Sequence, residues 1–298
     1  MADKHILHML TPLRHMSPFD VDMALDAGFD AVLPYTEVRS EEVAGLVQDA
    51  MFSRPPKVGV KTGVFFGGKQ AIAALDMLTT AKKALVPPFG ISFFADPAGS
   101  FTTAAAMVAC VEKTLREKKS RALKGTRIAM FGATGVVGFS AAVIAALQAA
   151  DVTLVGYDGI KRVQDAANEI KARFNVDVRA ADGSDESRKA DILSTADAAL
   201  CAGRAGVRIL GKTQIEAAKH LLVVADVNAV PPSGVEGLDV MANGAELASQ
   251  GALGIGPLAI GNIKYKTEFG LFRKMIEASK PVCFDFRDAF TLARELNA

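Results

Sequence analysis

Dense apolar runs recur along the chain, and between them the apolar positions open out to a helical spacing. Residues 5–10, 30–36, 61–68 and 88–97 are short apolar bursts, with the length and content of buried strands. The intervening stretches 19–30, 40–52, 69–84 and 102–119 carry apolar residues three and four apart and read as helices. The first ends near Gly28, and Ser40 followed by two glutamates predicts an N-cap with an acidic first turn. A basic stretch, 118–125, marks a boundary, after which the alternation restarts. Strands are expected at 126–132, 152–158, 176–182, 198–203 and 220–228, with a helix over 159–174. Residues 251–264 are rich in Gly and apolar side chains, and 265–280 and 287–297 read as closing helices. This order predicts an α/β protein whose mostly parallel sheets are covered on both faces.

The 298 residues fit about two domains. Lys and Arg outnumber Asp and Glu by one, so no basic footprint points to nucleic acid or to an anionic membrane surface. Cys110, Cys201 and Cys283 are odd in number and lack CxxC spacing, which speaks against a disulfide framework and for a reducing, cytoplasmic setting. The N-terminus has no secretory apolar core. Ile128 to Ala150 lacks any charge, but glycines in its first half divide it into a strand, a turn and a helix. His5 and His8 would face opposite sides of a strand with no carboxylate cluster beside them, so no metal site is expected.

The chemistry-bearing motif lies in that uncharged segment. Gly132, Gly135 and Gly138 form GxxGxxG between an apolar strand and an apolar helix. Such a turn brings bare backbone N–H groups against a pyrophosphate at the positive end of a helix, and Gly138 permits close helix–strand packing. Asp158 follows Gly138 by 20 residues at the end of the next strand. A carboxylate there accepts hydrogen bonds from the adenosine ribose and repels a 2′-phosphate, favouring NAD over NADP, although Lys161 and Arg162 stand close enough to receive a phosphate. Tyr157 and Lys161 spell YxxxK, the signature of short-chain dehydrogenases, but at the adenosine end, where it is a chance match.

Beyond the glycine turn, the sequence resembles the NAD(P)-dependent methylene-tetrahydromethanopterin dehydrogenases of bacterial one-carbon metabolism. The matching stretches are PFDVDMALDAGFD (18–30), FFGGK (65–69), ADPAGSFTTAAAMVA (95–109), GATGVVG (132–138), ADVNAVPPSGVEGLD (225–239) and GALGIGPLAIGNIKYK (251–266). The resemblance implies a pterin-substrate domain (1–121 plus 268–298), a Rossmann-type domain (122–267), an active-site cleft between them, and a homo-oligomer. It assigns Gly132, Thr134, Gly135, Val136, Val137 and Gly138 to the dinucleotide loop and Lys264 to the active-site lysine. Asp20 and the Asp96–Thr103 segment fall on the pterin side. Strictly NADP-using relatives carry a basic residue where Tyr157 and Asp158 follow Gly156 here, so NAD, or both cofactors, is expected.

The implied reaction moves a hydride from the one-carbon bridge to the nicotinamide and leaves a methenyl cation. The substrate nitrogens drive it and no general base is required, so alignment and exclusion of water carry the rate. An ammonium against the developing cation would oppose it, so Lys264 belongs at a polar edge of the pterin. Asp20 either complements a helix start or binds the pterin's N–C–N edge. Ser100, Thr102 and Thr103 either cap the 102–119 helix or touch substrate. Asn228, closing a strand, is a candidate nicotinamide or pterin contact, and Ala202 and Gly203 line the cofactor's path. The alternatives are a methylene-tetrahydrofolate dehydrogenase and a non-catalytic NAD-binding protein. Folate enzymes often add a cyclohydrolase that needs Tyr-x-x-x-Lys; here Tyr35 is followed by Arg39, so no cyclohydrolase activity is expected.

Overall fold

The computed structural model describes residues 3–298. In chain order the first elements are β1 (Ile6–Leu10), α1 (Pro18–Asp26), β2 (Ala31–Tyr35), α2 (Val43–Phe52), β3 (Thr62–Phe66) and α3 (Ala71–Lys83). Next come β4 (Ser92–Ala95), α4 (Ser100–Lys119), β5 (Arg127–Phe131), α5 (Val136–Leu147), β6 (Asp151–Gly156), α6 (Lys161–Phe174) and β7 (Arg179–Asp182). The remainder is α7 (Glu186–Thr195), β8 (Ala198–Cys201), α8 (Lys212–Ala217), β9 (Val223–Asp226), β10 (Asn243–Glu246), β11 (Leu253–Ile255), α9 (Pro257–Glu277), β12 (Cys283–Phe284) and α10 (Phe286–Leu296).

These elements form two compact units. The first is the chain up to Thr102 with Tyr265–Leu292; the second is Thr103–Lys264 with Ala293–Ala298. The cuts fall near the start of α4 and inside α9, where the sequence reading divides the chain at 121 and 267.

The first unit holds a five-stranded sheet of order β12-β4-β3-β1-β2, parallel throughout. Every residue of central strand β3 is buried, as a sheet covered on both faces requires. At the edge, β2 exposes Leu33 and Pro34; proline lacks the N–H that an interior strand must donate. The core is aromatic. Phe272 of α9 lies with its ring centre 5.6 Å from that of Phe65, 5.1 Å from Phe94 and 6.1 Å from Phe29, tying α9 to the sheet.

The second unit holds seven strands in the order β10-β11-β9-β8-β5-β6-β7, with only β10 antiparallel. Its core uses smaller residues, among them Ala129, Ala199, Val224 and Leu193. Residues Gly138–Ala146 of α5 are all buried, which explains the charge-free segment: a helix buried all round carries no polar stripe. Among the described residues, no helix is long and apolar enough to cross a membrane.

The structure corrects several element boundaries. Ser40 is not an N-cap. It opens a 3₁₀ turn, Ser40–Glu42, and the preceding Arg39 takes the cap position, its backbone N–H donating to the Glu42 carboxylate at 2.8 Å. Helix α9 begins at Pro257, not after Lys264, because proline suits the first helical position and the small residues that follow hide the helical period. Helix α7 was missed, since it buries only Leu193 and is set instead by Asp185, which accepts from the Arg188 N–H at 2.9 Å.

Candidate functional site

In parallel α/β sheets, ligands lie beyond the carboxyl ends of the strands, where neighbouring crossovers leave in opposite directions. Each unit has one such switch point, and each has a cavity there.

In the second unit the order β7-β6-β5-β8-β9-β11 is the doubly wound 3-2-1-4-5-6 arrangement, reversing between β5 and β8. The glycine turn sits at that reversal. Gly132 adopts φ +78°, and a Cβ there would lie 2.3 Å from the Ala202 carbonyl oxygen and 2.7 Å from the Gly203 nitrogen. A Cβ on Gly138 would come 2.3 Å from the Gly132 oxygen. These two glycines therefore close the turn on itself. Gly135 differs: its nearest protein atom would be the Gly132 oxygen at 3.3 Å, and it opens α5 with no side-chain cap. The first-turn N–H groups and the helix dipole are left for an anion. Beside the turn is a cavity of about 470 Å³ bordered by Gly132, Thr134, Gly135, Tyr157, Ala202 and Gly203, among others. Of the expected cofactor residues, Val136 and Val137 are half-buried in the first turn of α5. These residues fit a dinucleotide: a bare backbone cradle, an open helix start, and apolar walls for a base.

Asp158 is exposed at the turn after β6, but not alone: its carboxylate accepts from Arg162 at 3.0 Å. Asn228 is turned inward. Its amide oxygen accepts from Val230 N–H at 2.9 Å and Gly206 N–H at 3.4 Å, and its amide nitrogen donates to the Pro232 oxygen at 3.1 Å. Its side chain thus ties two loops together, a role that sequence reasoning did not foresee. Asp226, which it also missed, is fully buried at the end of β9 and accepts from the N–H groups of Asn228 and Val235. Burial raises its pKa against these donors. Its signal is Gly234, where a Cβ would meet the Asp226 carboxylate at 2.9 Å.

In the first unit the order β2-β1-β3-β4-β12 is the 2-1-3-4-5 arrangement, with its switch point between β1 and β3. A cavity of about 320 Å³ opens there, bordered by Thr11, Arg14, His15, Asp20, Lys69 and Ala98 along with neighbouring residues. Ser17 caps α1 by accepting from the Asp20 N–H at 3.3 Å, with Pro18 in the first turn. The cap sets Asp20 in the cavity wall, 1 % exposed. Ala98 has φ +53°, ψ 38°, a left-handed conformation that costs an alanine energy and concentrates at functional sites.

Other expected substrate residues stand elsewhere. The fully buried Asp96 carboxylate accepts from the N–H of Phe101 at 2.7 Å, the N–H of Thr102 at 3.3 Å and the hydroxyl of Thr102 at 2.5 Å. Asp96 and Thr102 therefore hold the start of α4. Ser100 and Thr103 are half-buried on its first turns. Lys264 is half-buried within α9. Arg14 and Lys69 were not singled out, and His15 was noted beside the Ser17-Pro18 turn without a role; only the FFGGK block hinted at Lys69. Among the described residues, no group of three His, Cys, Asp or Glu could hold a metal.

A 2-1-3-4-5 sheet with a polar cavity, followed by a 3-2-1-4-5-6 sheet with an uncapped glycine turn, defines a two-unit protein of the dinucleotide-binding dehydrogenase class. Quinate dehydrogenase from Corynebacterium glutamicum, solved with NAD, shares the fold: 15 % identity, 97 % of this chain and 99 % of that one, TM-score 0.56. Residues 18–98 match the family described as methylene-tetrahydromethanopterin dehydrogenase, N-terminal. The chain is 55 % identical to the NAD(P)-dependent methylenetetrahydromethanopterin dehydrogenase of Methylorubrum extorquens over 98 % of its length and 99 % of that protein. It is 32 % identical to the bifunctional protein MdtA of the same organism, over 94 % of each chain. The chain belongs to the NAD(P)-dependent methylenetetrahydromethanopterin dehydrogenase family.

Proposed function

We infer that this enzyme oxidises the one-carbon bridge of methylene-tetrahydromethanopterin to the methenyl cation. NAD(P)⁺, when bound, supplies the hydride acceptor. The observation that carries the reading is the Gly135 turn at the open N-terminus of α5, bordering a cavity of about 470 Å³. The residues have three tasks. The first-turn N–H groups of α5, with Gly132, Thr134 and Gly135, bind the pyrophosphate. Asp20 meets the N–C–N edge of the pterin through paired hydrogen bonds, with Lys69 and Arg14 on the rim of the same cavity. Lys264 orients the substrate from a polar edge rather than exchanging a proton, since the step needs no base. Asp96 and Thr102 support pterin binding through the helix start they hold, with Ser100 and Thr103 on the first turns of that helix, and Asn228 supports dinucleotide binding through the loops it ties. A homo-oligomer and a cytoplasmic location complete this reading.

The test is formation of reduced cofactor, followed by absorbance, with methylene-tetrahydromethanopterin and methylene-tetrahydrofolate as substrates. Turnover with the methanopterin substrate is expected with either nicotinamide, and its methenyl product should hydrolyse at the uncatalysed rate. The hydroxyl of Tyr35 is engaged with His8 Nδ1 at 3.1 Å, and no lysine follows it at the cyclohydrolase spacing. Preferred turnover of the folate substrate, or none with either, would replace the reading with one of its alternatives.

A further inference from the structure

Arg162 is the second residue of α6. Its guanidinium donates to the Asp158 carboxylate at 3.0 Å, to the Tyr157 hydroxyl at 3.0 Å and to the Thr134 hydroxyl at 3.3 Å. It lies 5.7 Å from the centre of the Tyr157 ring. Tyr157 and Thr134 border the dinucleotide cavity, and Asp158 occupies the position that meets the adenosine ribose. One cation thus spans the groups around the place where a ribose 2′ substituent would sit.

We propose that Arg162 is the residue that admits a 2′-phosphorylated dinucleotide, with the Asp158 carboxylate holding the guanidinium in place when no phosphate is there. Taken alone, Asp158 repels a second anion. Paired with Arg162, its charge is compensated, and the pair can open toward whichever partner arrives. Both side chains are well exposed, 52 % for Arg162 and 39 % for Asp158. An exposed pair of this kind shifts an equilibrium by about fivefold at most, so exchanging the carboxylate for a phosphate costs little. A phosphate offers more acceptor oxygens and charge, and guanidinium geometry matches it in bidentate fashion. Ribose hydroxyls can instead use Asp158 without displacing Arg162, since the carboxylate oxygens have lone pairs to spare. The same two residues therefore serve both cofactors. Of the other cations near the cavity, Lys189 is largely enclosed and bonds Glu186 at 2.6 Å. Arg208 forms an exposed pair with Glu236 at 2.7 Å, so it joins Lys161 and Arg204 as a competitor for the role.

The proposal rests on the dinucleotide reading of this cavity, and its test separates the two. Titration calorimetry of the intact chain with adenosine 2′,5′-bisphosphate and with 5′-AMP compares ligands that differ only in the 2′-phosphate, without requiring turnover. In Arg162→Gln, affinity for the bisphosphate should fall by about tenfold or more, and affinity for 5′-AMP by less than about threefold. Arg162→Lys should recover part of the loss, and Asp158→Asn should raise bisphosphate affinity several-fold. Equal losses for both ligands in Arg162→Gln, or a selective loss found in Lys161→Gln, Arg204→Gln or Arg208→Gln instead, would overturn the assignment. Failure of the unaltered chain to bind either nucleotide overturns the dinucleotide reading itself.

Discussion

The two units place a cavity at the same topological point but build it from different materials. In the second unit the wall is largely backbone: Gly132 and Gly138 let three chain segments approach within contact distance, and Gly135 leaves N–H groups open. In the first unit, charged and polar side chains from loops after β1 and β3 surround the cavity, and a strained Ala98 closes it. The difference is the one the proposed ligands would call for. A pyrophosphate is a diffuse anion that any cluster of N–H groups satisfies. A flat heterocycle with a fixed donor–acceptor edge needs individual side chains aimed at it. A backbone site must be written in glycine; a side-chain site can be written in many ways.

The largest test of this contrast is inside the glycine turn. Gly132→Ala combines a left-handed φ with clashes against backbone atoms that cannot swing away, so it should destabilise the chain by about 3–4 kcal/mol and abolish nucleotide binding. Gly135→Ala adds its methyl group at the cavity border instead, with the Gly132 carbonyl oxygen at 3.3 Å as its nearest protein contact. It should leave the thermal midpoint nearly unchanged while weakening nucleotide binding by about tenfold. Circular dichroism melts and calorimetry on both variants distinguish them; equal thermal losses would mean that Gly135 is also structural.

The opposite end of the second sheet is held by charge. The Asp197 carboxylate, 4 % exposed, accepts from Arg127 N–H, Nε and Nη2 at 2.9, 3.0 and 2.7 Å and from Arg121 at 3.0 Å. Burial alone would raise its pKa, but the hydrogen bonds from Arg127 and the two nearby cations hold it below the ordinary carboxylate value. A depressed folded pKa means stabilisation that is fully present above the unfolded value of about 3.9 and lost as pH falls through the folded one. Asp197→Ala should cost about 3 kcal/mol at neutral pH, with the gap to the parent chain narrowing below about pH 4. A gap that stays constant down to acid pH would remove the ionic part of this account.

What the sequence revealed follows the same division. The restarting strand–helix alternation, the glycine turn and the 20-residue step to Asp158 were legible because period and glycine spacing record backbone geometry. The Arg162 bridge was only partly legible, since Arg162 stands four positions after Asp158 but 28 positions after Thr134. The polar cavity of the first unit was least so. It gathers Thr11, Lys69 and Ala98 from three remote loops and Asp20 from the first turn of α1, and only the strand order puts them together. Asp96 was hard to read for a related reason: a polar residue at the mouth of a helix looks alike whether it binds a ligand or the helix itself.

Lys264 tests the side-chain half of the comparison. If it orients the pterin, Lys264→Ala should lower turnover by about ten- to hundredfold with the dinucleotide dissociation constant unchanged within about twofold. Steady-state kinetics with saturating cofactor, paired with direct binding, give both quantities. Full activity in the purified variant would take Lys264 out of the site.

The smallest effect is the most discriminating for the start of α4. Thr102→Val keeps the shape of the side chain and removes the hydroxyl that donates to Asp96 at 2.5 Å. The carboxylate keeps the Phe101 and Thr102 backbone donors, so the loss should be about 1.5 kcal/mol, at the low end for one hydrogen bond to a charged acceptor. If Thr102 acts only through this cap, the Michaelis constant for the pterin should stay within about twofold of the parent value while the thermal midpoint falls by a few degrees. If Thr102 touches substrate, the Michaelis constant should instead rise by about fivefold or more, a neutral hydrogen bond to the ligand being lost together with the cap. The first outcome keeps the 96–102 segment as scaffold and leaves pterin recognition to the β1 and β3 loops; the second returns the mouth of α4 to the binding surface.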